Sequence, residues 1–172
     1  VPKSGVFILA PTHRSILDTP ITASLRRKRL RFMAADKWWK NEALGKLITA
    51  LGGFPVSRGT ADREALKRSI LLIDDGEPLV LFPEGERSVD GTVKKFKKGA
   101  PILAQHMHVP IVPVAIKGVH EVWPRNRGLN WSLVWPWSGH RVKIASGAPL
   151  NAWDTATFYA GGAQGYTDYP AL

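Results

Sequence analysis

A chain of 172 residues, 44% hydrophobic and 22% charged, is long enough for one packed domain and too apolar to be chiefly disordered. It has no cysteine, which excludes disulfides, thiol catalysis, Cys-ligated zinc and iron–sulfur clusters, and fits a reducing compartment. Its 24 Lys and Arg against 14 Asp and Glu give a formal charge of +10, which calls for anionic partners such as nucleic acid, acidic lipid or a phosphorylated substrate.

The elements follow in a regular order. Gly5 to Ala10 is an apolar run of strand length, and the sequence meets it without a starting Met or a signal-peptide pattern, as a domain cut from a longer chain would. Asp18-Thr19-Pro20 reads as a helix start, with Asp as the cap and Pro in the first turn, and the helix should end near Lys28. Arg31 to Ala35 is strand-like. Residues 37–50 carry Trp38, Leu44, Leu47 and Ile48 at helical spacings, and Gly52-Gly53 stops that helix before a strand over Phe54 to Ser57. Thr60 to Asp75 is the clearest helix, with Leu66, Ile70 and Ile73 on one face and Gly76 past its end. Pro78 to Phe82 reads as a buried strand, Gly99 to Met107 as a short helix, Val109 to Ile116 as an apolar strand, and Arg141 to Ala145 as a last strand after a Trp-rich stretch. This alternation predicts a single α/β domain with a mixed, mostly parallel sheet flanked by helices. No apolar run approaches the roughly 18 residues that a bilayer span needs. Residues 158–172 read as a loose tail, which leaves residues 1–157 as the domain.

Three strand ends carry chemistry, and parallel strands put such ends on one edge of a sheet. The first is Thr12-His13-Arg14-Ser15-Ile16-Leu17-Asp18. His13 and Asp18 are five residues apart, too far round for one regular helix to pair them. A loop-to-helix turn can fold the carboxylate back onto one ring nitrogen and leave the other as a general base. On spacing alone, the plainer account is a capping Asp and a solvent-facing His. The second is Phe82-Pro83-Glu84-Gly85-Glu86-Arg87-Ser88, in which Gly lets the backbone approach a ligand and Arg87 can grip a phosphate with two parallel bonds; alone it is also compatible with a charged surface turn. The third is Gly53-Phe54-Pro55-Val56-Ser57-Arg58, weak by itself because an Arg at a strand end is usually just solvated.

Other signatures fail. The sequence has no Gly-x-Ser-x-Gly elbow, Walker loop, Gly-x-Gly-x-x-Gly or His-Glu-x-x-His, and His106-x-His108 lacks an evident third ligand, so no metal site is expected. Arg26 to Arg31 and Lys94 to Lys98 are basic runs that suit a solvated face or an anionic bilayer. Trp123, Trp131, Trp135 and Trp137 crowd into fifteen residues with Arg125 and Arg127, more indole than one small core can bury. Trp favours the membrane–water boundary, so these four are candidates for membrane contact, with a protein partner or plain core as the other readings.

Taken in order, His13-x4-Asp18, the 53–58 segment, Phe82-Pro83-Glu84-Gly85-Glu86-Arg87-Ser88 and Ile111-Val112-Pro113-Val114 resemble the four motifs of the glycerolipid acyltransferases, the PlsC-like 1-acyl-glycerol-3-phosphate acyltransferases. The resemblance covers roughly residues 5–150 and replaces the plainer readings of the separate pieces. It implies that His13 takes the proton from the acceptor hydroxyl, that Asp18 orients it, and that the freed oxygen attacks an acyl thioester with no covalent enzyme intermediate. It places Arg58, Glu84, Gly85 and Arg87 at the glycerol-phosphate site, with Lys37 where the family often has a basic residue and Val112-Pro113 shaping the acyl-donor region. It implies an acyl-CoA or acyl carrier protein co-substrate and no further cofactor. The implied partners are a lysophospholipid acceptor, an acyl thioester donor and an anionic membrane surface, not nucleic acid.

Thr12 stands where the family commonly has Asn, residues 55–57 match loosely, the amino-terminal helices that often dock the family on the bilayer are not in this sequence, and the last helix expected after residue 150 is not recognisable. The expected location is the cytoplasmic face of a membrane, peripheral or anchored by segments outside this sequence. The favoured product is phosphatidic acid. Glycerol 3-phosphate or another lysolipid or glycolipid is the alternative acceptor. A basic, Trp-bearing membrane- or nucleic-acid-binding module is the non-enzymatic alternative, and a Ser15 hydrolase the third, without a nucleophile motif.

Overall fold

A computed structural model describes residues 1–27, 29–56 and 61–151. Its centre is a six-stranded sheet in the order β3-β2-β4-β1-β5-β6. β1 (Ile8–Pro11), β2 (Arg31–Ala35), β3 (Gly53–Val56), β4 (Leu79–Val80) and β5 (Ile111–Lys117) are mutually parallel, and β6 (Lys143–Ser146) closes one edge antiparallel to β5. The expected mixed, mostly parallel α/β sheet is therefore present.

β1 lies between β4 and β5 and is buried at every position, as a run of apolar residues in a sheet covered on both faces must be. Strand alternation divides the core in two. Phe7 and Leu9 join Phe32, Val112, Val114 and Ile116 on one face, where Leu17, Ile21 and Leu25 from α1 (Asp18–Ser24) and its flanks pack. Ile8 and Ala10 join Phe54, Leu79 and Ile111 on the other, covered by Ile70 and Ile73 of α3 (Ala61–Asp74) and Leu103 of α4 (Gly99–Met107).

Three of the departures from the sequence reading have a local cause. The helix expected over 37–50 is a 3-10 turn over Asp36–Lys40 followed by α2 (Glu42–Ala50), because the Asn41 side chain accepts a hydrogen bond from the Leu44 amide and starts a new helix. α1 stops at Ser24 instead of near Lys28, before the run of like charges that begins at Arg26. β4 keeps two residues of the expected five, because Phe82 to Gly85 closes a turn in which the Gly85 amide donates to the Phe82 carbonyl. Two short helices the sequence did not signal, α5 (Val119–Val122) and α6 (Trp131–Val134), follow β5. Arg58 and the tail over 158–172 lie outside the described residues.

Candidate active site

The loop after β1 is bent by one carboxylate. Asp18 was expected to cap α1 from in front; instead Leu17 holds the cap position and Asp18 is the first helical residue. Its fully buried carboxylate turns back, and Oδ2 accepts the Arg14 and Ser15 amides at 2.6 Å each. Two charge-assisted bonds from the preceding N–H groups satisfy this oxygen away from water. The same Oδ2 lies 3.3 Å from His13 Nδ1. A carboxylate only accepts, so Nδ1 carries the hydrogen and Nε2 keeps its lone pair.

The rest of the site holds His13 from three further directions. Its amide donates to Glu84 Oε1 at 2.8 Å and its carbonyl accepts the Ser88 amide at 2.8 Å, so the loop after β4 clamps the backbone on both sides. The Phe82 ring stacks on the imidazole with centroids 3.8 Å apart and planes at 22°. Thr12, itself buried, accepts the Ile116 amide on its hydroxyl at 3.1 Å, which ties the loop to β5. The Ser15 hydroxyl donates to the Trp123 carbonyl at 2.8 Å and accepts the Leu17 amide at 3.2 Å, an occupation that speaks against a nucleophilic Ser15. These contacts reach the His13 loop from residues 69 to 108 positions away and were invisible to local pattern.

Burial pushes the His13 pKa below its usual 6.5, against the upward pull of Asp18, and the positive charges of Arg87 and Arg125 act in the same direction as burial. The imidazole is therefore held neutral near pH 7, in the form that can take a proton. Glu84 is buried, and burial raises its pKa while its backbone hydrogen bonds oppose the rise. Its two oxygens accept the amides of His13 and Lys94, the latter at 3.0 Å, so it joins two loops. Glu84 is thus a backbone brace, consistent with its carrying no attraction for a phosphate.

Arg87 lies close enough to influence His13, and its carbonyl accepts Arg125 Nη1 at 2.9 Å. Arg125 also faces Glu86, which pairs with Lys94. Gly85 has φ +71°, a conformation that favours glycine, and a Cβ there would meet the Lys97 side chain at 2.7 Å. The turn that follows is fixed by Asp90, whose carboxylate accepts from Thr92 and Ser88; those bonds hold its pKa well below the usual range.

Among the other residues expected at the site, Lys37 lies in the 3-10 turn after β2 on the same sheet edge, exposed, with its ammonium 5.2 Å from the Trp38 ring centroid. β4 separates its strand from β1. Trp123 is half-buried beside the Ser15 loop, whereas Trp131, Trp135 and Trp137 are exposed. Arg125, and the anchoring roles of Thr12, Ser88 and Phe82, were not anticipated; only the proximity of Arg125 to the Trp cluster in the sequence hinted at it.

A sequence profile of the acyltransferase family matches residues 1–117. The chain belongs to the acyltransferase family. Its similarity extends to a 1-acyl-sn-glycerol-3-phosphate acyltransferase of Bacillus subtilis, 28% identical over 119 residues that make up 69% of this chain and 59% of that protein. A chloroplastic 1-acyl-sn-glycerol-3-phosphate acyltransferase of Brassica napus is 30% identical over 68% of this chain and 34% of its own length. A probable 1-acyl-sn-glycerol-3-phosphate acyltransferase of Mycoplasma pneumoniae is 28% identical over 88% of this chain and 59% of its own. The chain thus spans between about a third and three fifths of these relatives. The crystal structure of the acyltransferase PlsC from Thermotoga maritima superposes with a TM-score of 0.70 at 23% identity, over the whole of this chain and 70% of the other, and shares its fold. The family match covers the His13, Asp18, Glu84 and Arg87 segments.

Proposed function

We propose that this acyltransferase moves a fatty acyl group from an acyl thioester, acyl-CoA or acyl carrier protein, to the free hydroxyl of 1-acyl-sn-glycerol 3-phosphate, giving phosphatidic acid for phospholipid synthesis. The observation that carries the reading is the buried Asp18 carboxylate facing His13 Nδ1, which leaves Nε2 as a neutral base at the active edge of the sheet. The names of the relatives supply the acceptor.

The chemistry balances with the chain's own residues. His13 Nε2 takes the hydroxyl proton as the oxygen attacks the thioester carbonyl carbon. Asp18 steadies the imidazolium through Nδ1–H. The tetrahedral centre collapses, the C–S bond breaks, and the imidazolium returns the proton to the leaving thiolate, so His13 ends neutral. Arg87 and, by resemblance, Arg58 are assigned to the acceptor phosphate, Arg because its planar fork matches two phosphate oxygens. Lys37 is a further cation at the same edge, Gly85 lets the backbone approach the glycerol, and Glu84 keeps the loops in register.

The reading is tested by offering acyl-CoA with three acceptors: 1-acyl-glycerol 3-phosphate, its dephosphorylated counterpart and glycerol 3-phosphate. Phosphatidic acid as the dominant product supports the proposal. Equal rates with and without the phosphate would overturn the phosphate-site assignment, and a preference for glycerol 3-phosphate would move the enzyme to the preceding acylation.

A further inference from the structure

The segment from Lys117 to Lys143 carries features that the reaction itself does not use. β5 is parallel to β1, so its carboxyl end lies on the edge that carries His13, and β6 returns there with Lys143 opposite Lys117. Everything between, α5, α6 and the following loop, therefore lies on the catalytic edge. Direct bonds join it to the site: Trp123 accepts from Ser15, His120 Nδ1–H donates to the Arg14 carbonyl at 3.3 Å, and Arg125 holds Arg87. At the far end His140 donates to the Gly118 carbonyl, and Gly118, at φ +90°, lets the Arg141 backbone pass where a Cβ would lie 2.4 Å from its oxygen.

The outer surface of this segment is apolar and cationic together. Trp131, Trp135 and Trp137 are 73%, 63% and 81% exposed, and Val134 and Val142 are also exposed. The Trp135 and Trp137 rings lie 5.8 Å apart and form one patch. Between residues 117 and 143 there are five Lys or Arg and a single Glu. Exposed indoles in a segment whose cations outnumber its acids match the boundary of an anionic bilayer, where indole partitions and each basic residue near the surface adds about fivefold in affinity.

We infer that this face docks on an anionic phospholipid bilayer, with α6 and the loop after it lying in the interface and His13 held at the membrane surface. The inference rests on the proposed function only for the identity of the lipid the bilayer delivers. With its acyl chain left among the lipids, a lysophospholipid would then have to expose only its glycerol hydroxyl and phosphate to reach the base.

The test reads binding without turnover. The chain is sedimented with vesicles of phosphatidylcholine alone and of phosphatidylcholine mixed with phosphatidylglycerol, and its Trp fluorescence is followed with lipids brominated at shallow and deep positions. The wild type should sediment with the mixed vesicles, be quenched most by shallow bromine, and dissociate as salt rises. Trp131→Ser/Trp135→Ser/Trp137→Ser should partition at least about tenfold more weakly, with circular dichroism and urea midpoint unchanged. Arg127→Gln/Arg141→Gln/Lys143→Gln, which leaves the indoles in place, should bind more weakly with a flatter salt dependence. Partitioning of both variants equal to wild type would overturn the inference. So would a wild type that ignores vesicles and forms a dimer lost in the triple-Trp variant, since a second copy would then cover the face. His13→Ala should bind like wild type whether or not the proposed reaction is right, which separates failure of docking from failure of the activity.

Discussion

Replacing Asp18 by Asn isolates the partner of the base. The substitution keeps shape and leaves an amide oxygen able to accept the Arg14 and Ser15 N–H groups that Oδ2 accepts at 2.6 Å. What it removes is the negative charge 3.3 Å from His13 Nδ1. A unit charge pair at that distance and an effective dielectric near 20 has an interaction of about 5 kcal/mol as an upper figure. A hydrogen bond to a charged group contributes about 1.5–3 kcal/mol net. The imidazolium exists only once the proton has moved, so the loss falls on the transition state and should lower kcat by roughly 10-fold to 5,000-fold with little change in KM. Asp18 pulls the His13 pKa upward against burial, so its removal should also move the acid limb of the pH–rate profile to lower pH. Thiol release from acyl-CoA can be followed with a thiol-reactive chromophore, because the chain has no cysteine of its own to react. A variant within tenfold of wild-type kcat, or an acid limb moved upward, would refute the reasoning.

Three further outcomes are expected. Arg87→Ala should raise KM for the phosphorylated acceptor by about tenfold or more and leave KM for acyl-CoA nearly unchanged; a shift confined to the donor would remove Arg87 from the phosphate site. Glu84→Gln offers one acceptor oxygen where two amides now donate, and should cost about 1–3 kcal/mol, seen as a fall in Tm on the order of 3–10 °C; an unchanged Tm would contradict its bracing role. His13 resists protonation when folded, so between 6.5 and its lowered folded pKa the unfolded chain binds the proton first and stability should fall as pH falls. Glu84 acts oppositely above 4.5, where its raised folded pKa makes acidification stabilising. Urea midpoints across this range should therefore fall less with acid in His13→Gln than in wild type, and parallel curves would contradict the buried neutral imidazole.

The strands and most helices were legible because burial imposes period: β1 and β5 are apolar throughout, and α3 repeats Ile70 and Ile73 toward the sheet. The His13 and Glu84 segments could be placed on one edge for the same reason, since parallel strands align their carboxyl ends. The boundaries that moved did so where a side chain competed with the regular backbone. Asn41 divides a helix whose apolar spacing alone runs through it, and Asp18 serves the loop behind it instead of the helix ahead. What stayed illegible was contact at long sequence distance. Nothing local to Ser88 or Phe82 says that they hold the backbone and ring of His13, and Arg125 reaches Arg87 across 38 positions. The resemblance to a family supplied those segments as a set, but not the bonds between them.

The central claim is that His13 is the base of an acyl transfer to a lysophospholipid. It is tested most directly by single-turnover acylation of 1-acyl-glycerol 3-phosphate from labelled acyl-CoA, with wild type beside His13→Ala. The account predicts labelled phosphatidic acid from wild type and a loss of at least about 10² in rate for the variant, with its urea midpoint at pH 7 close to wild type. Phosphatidic acid formed by a folded His13→Ala at near wild-type rate would contradict it.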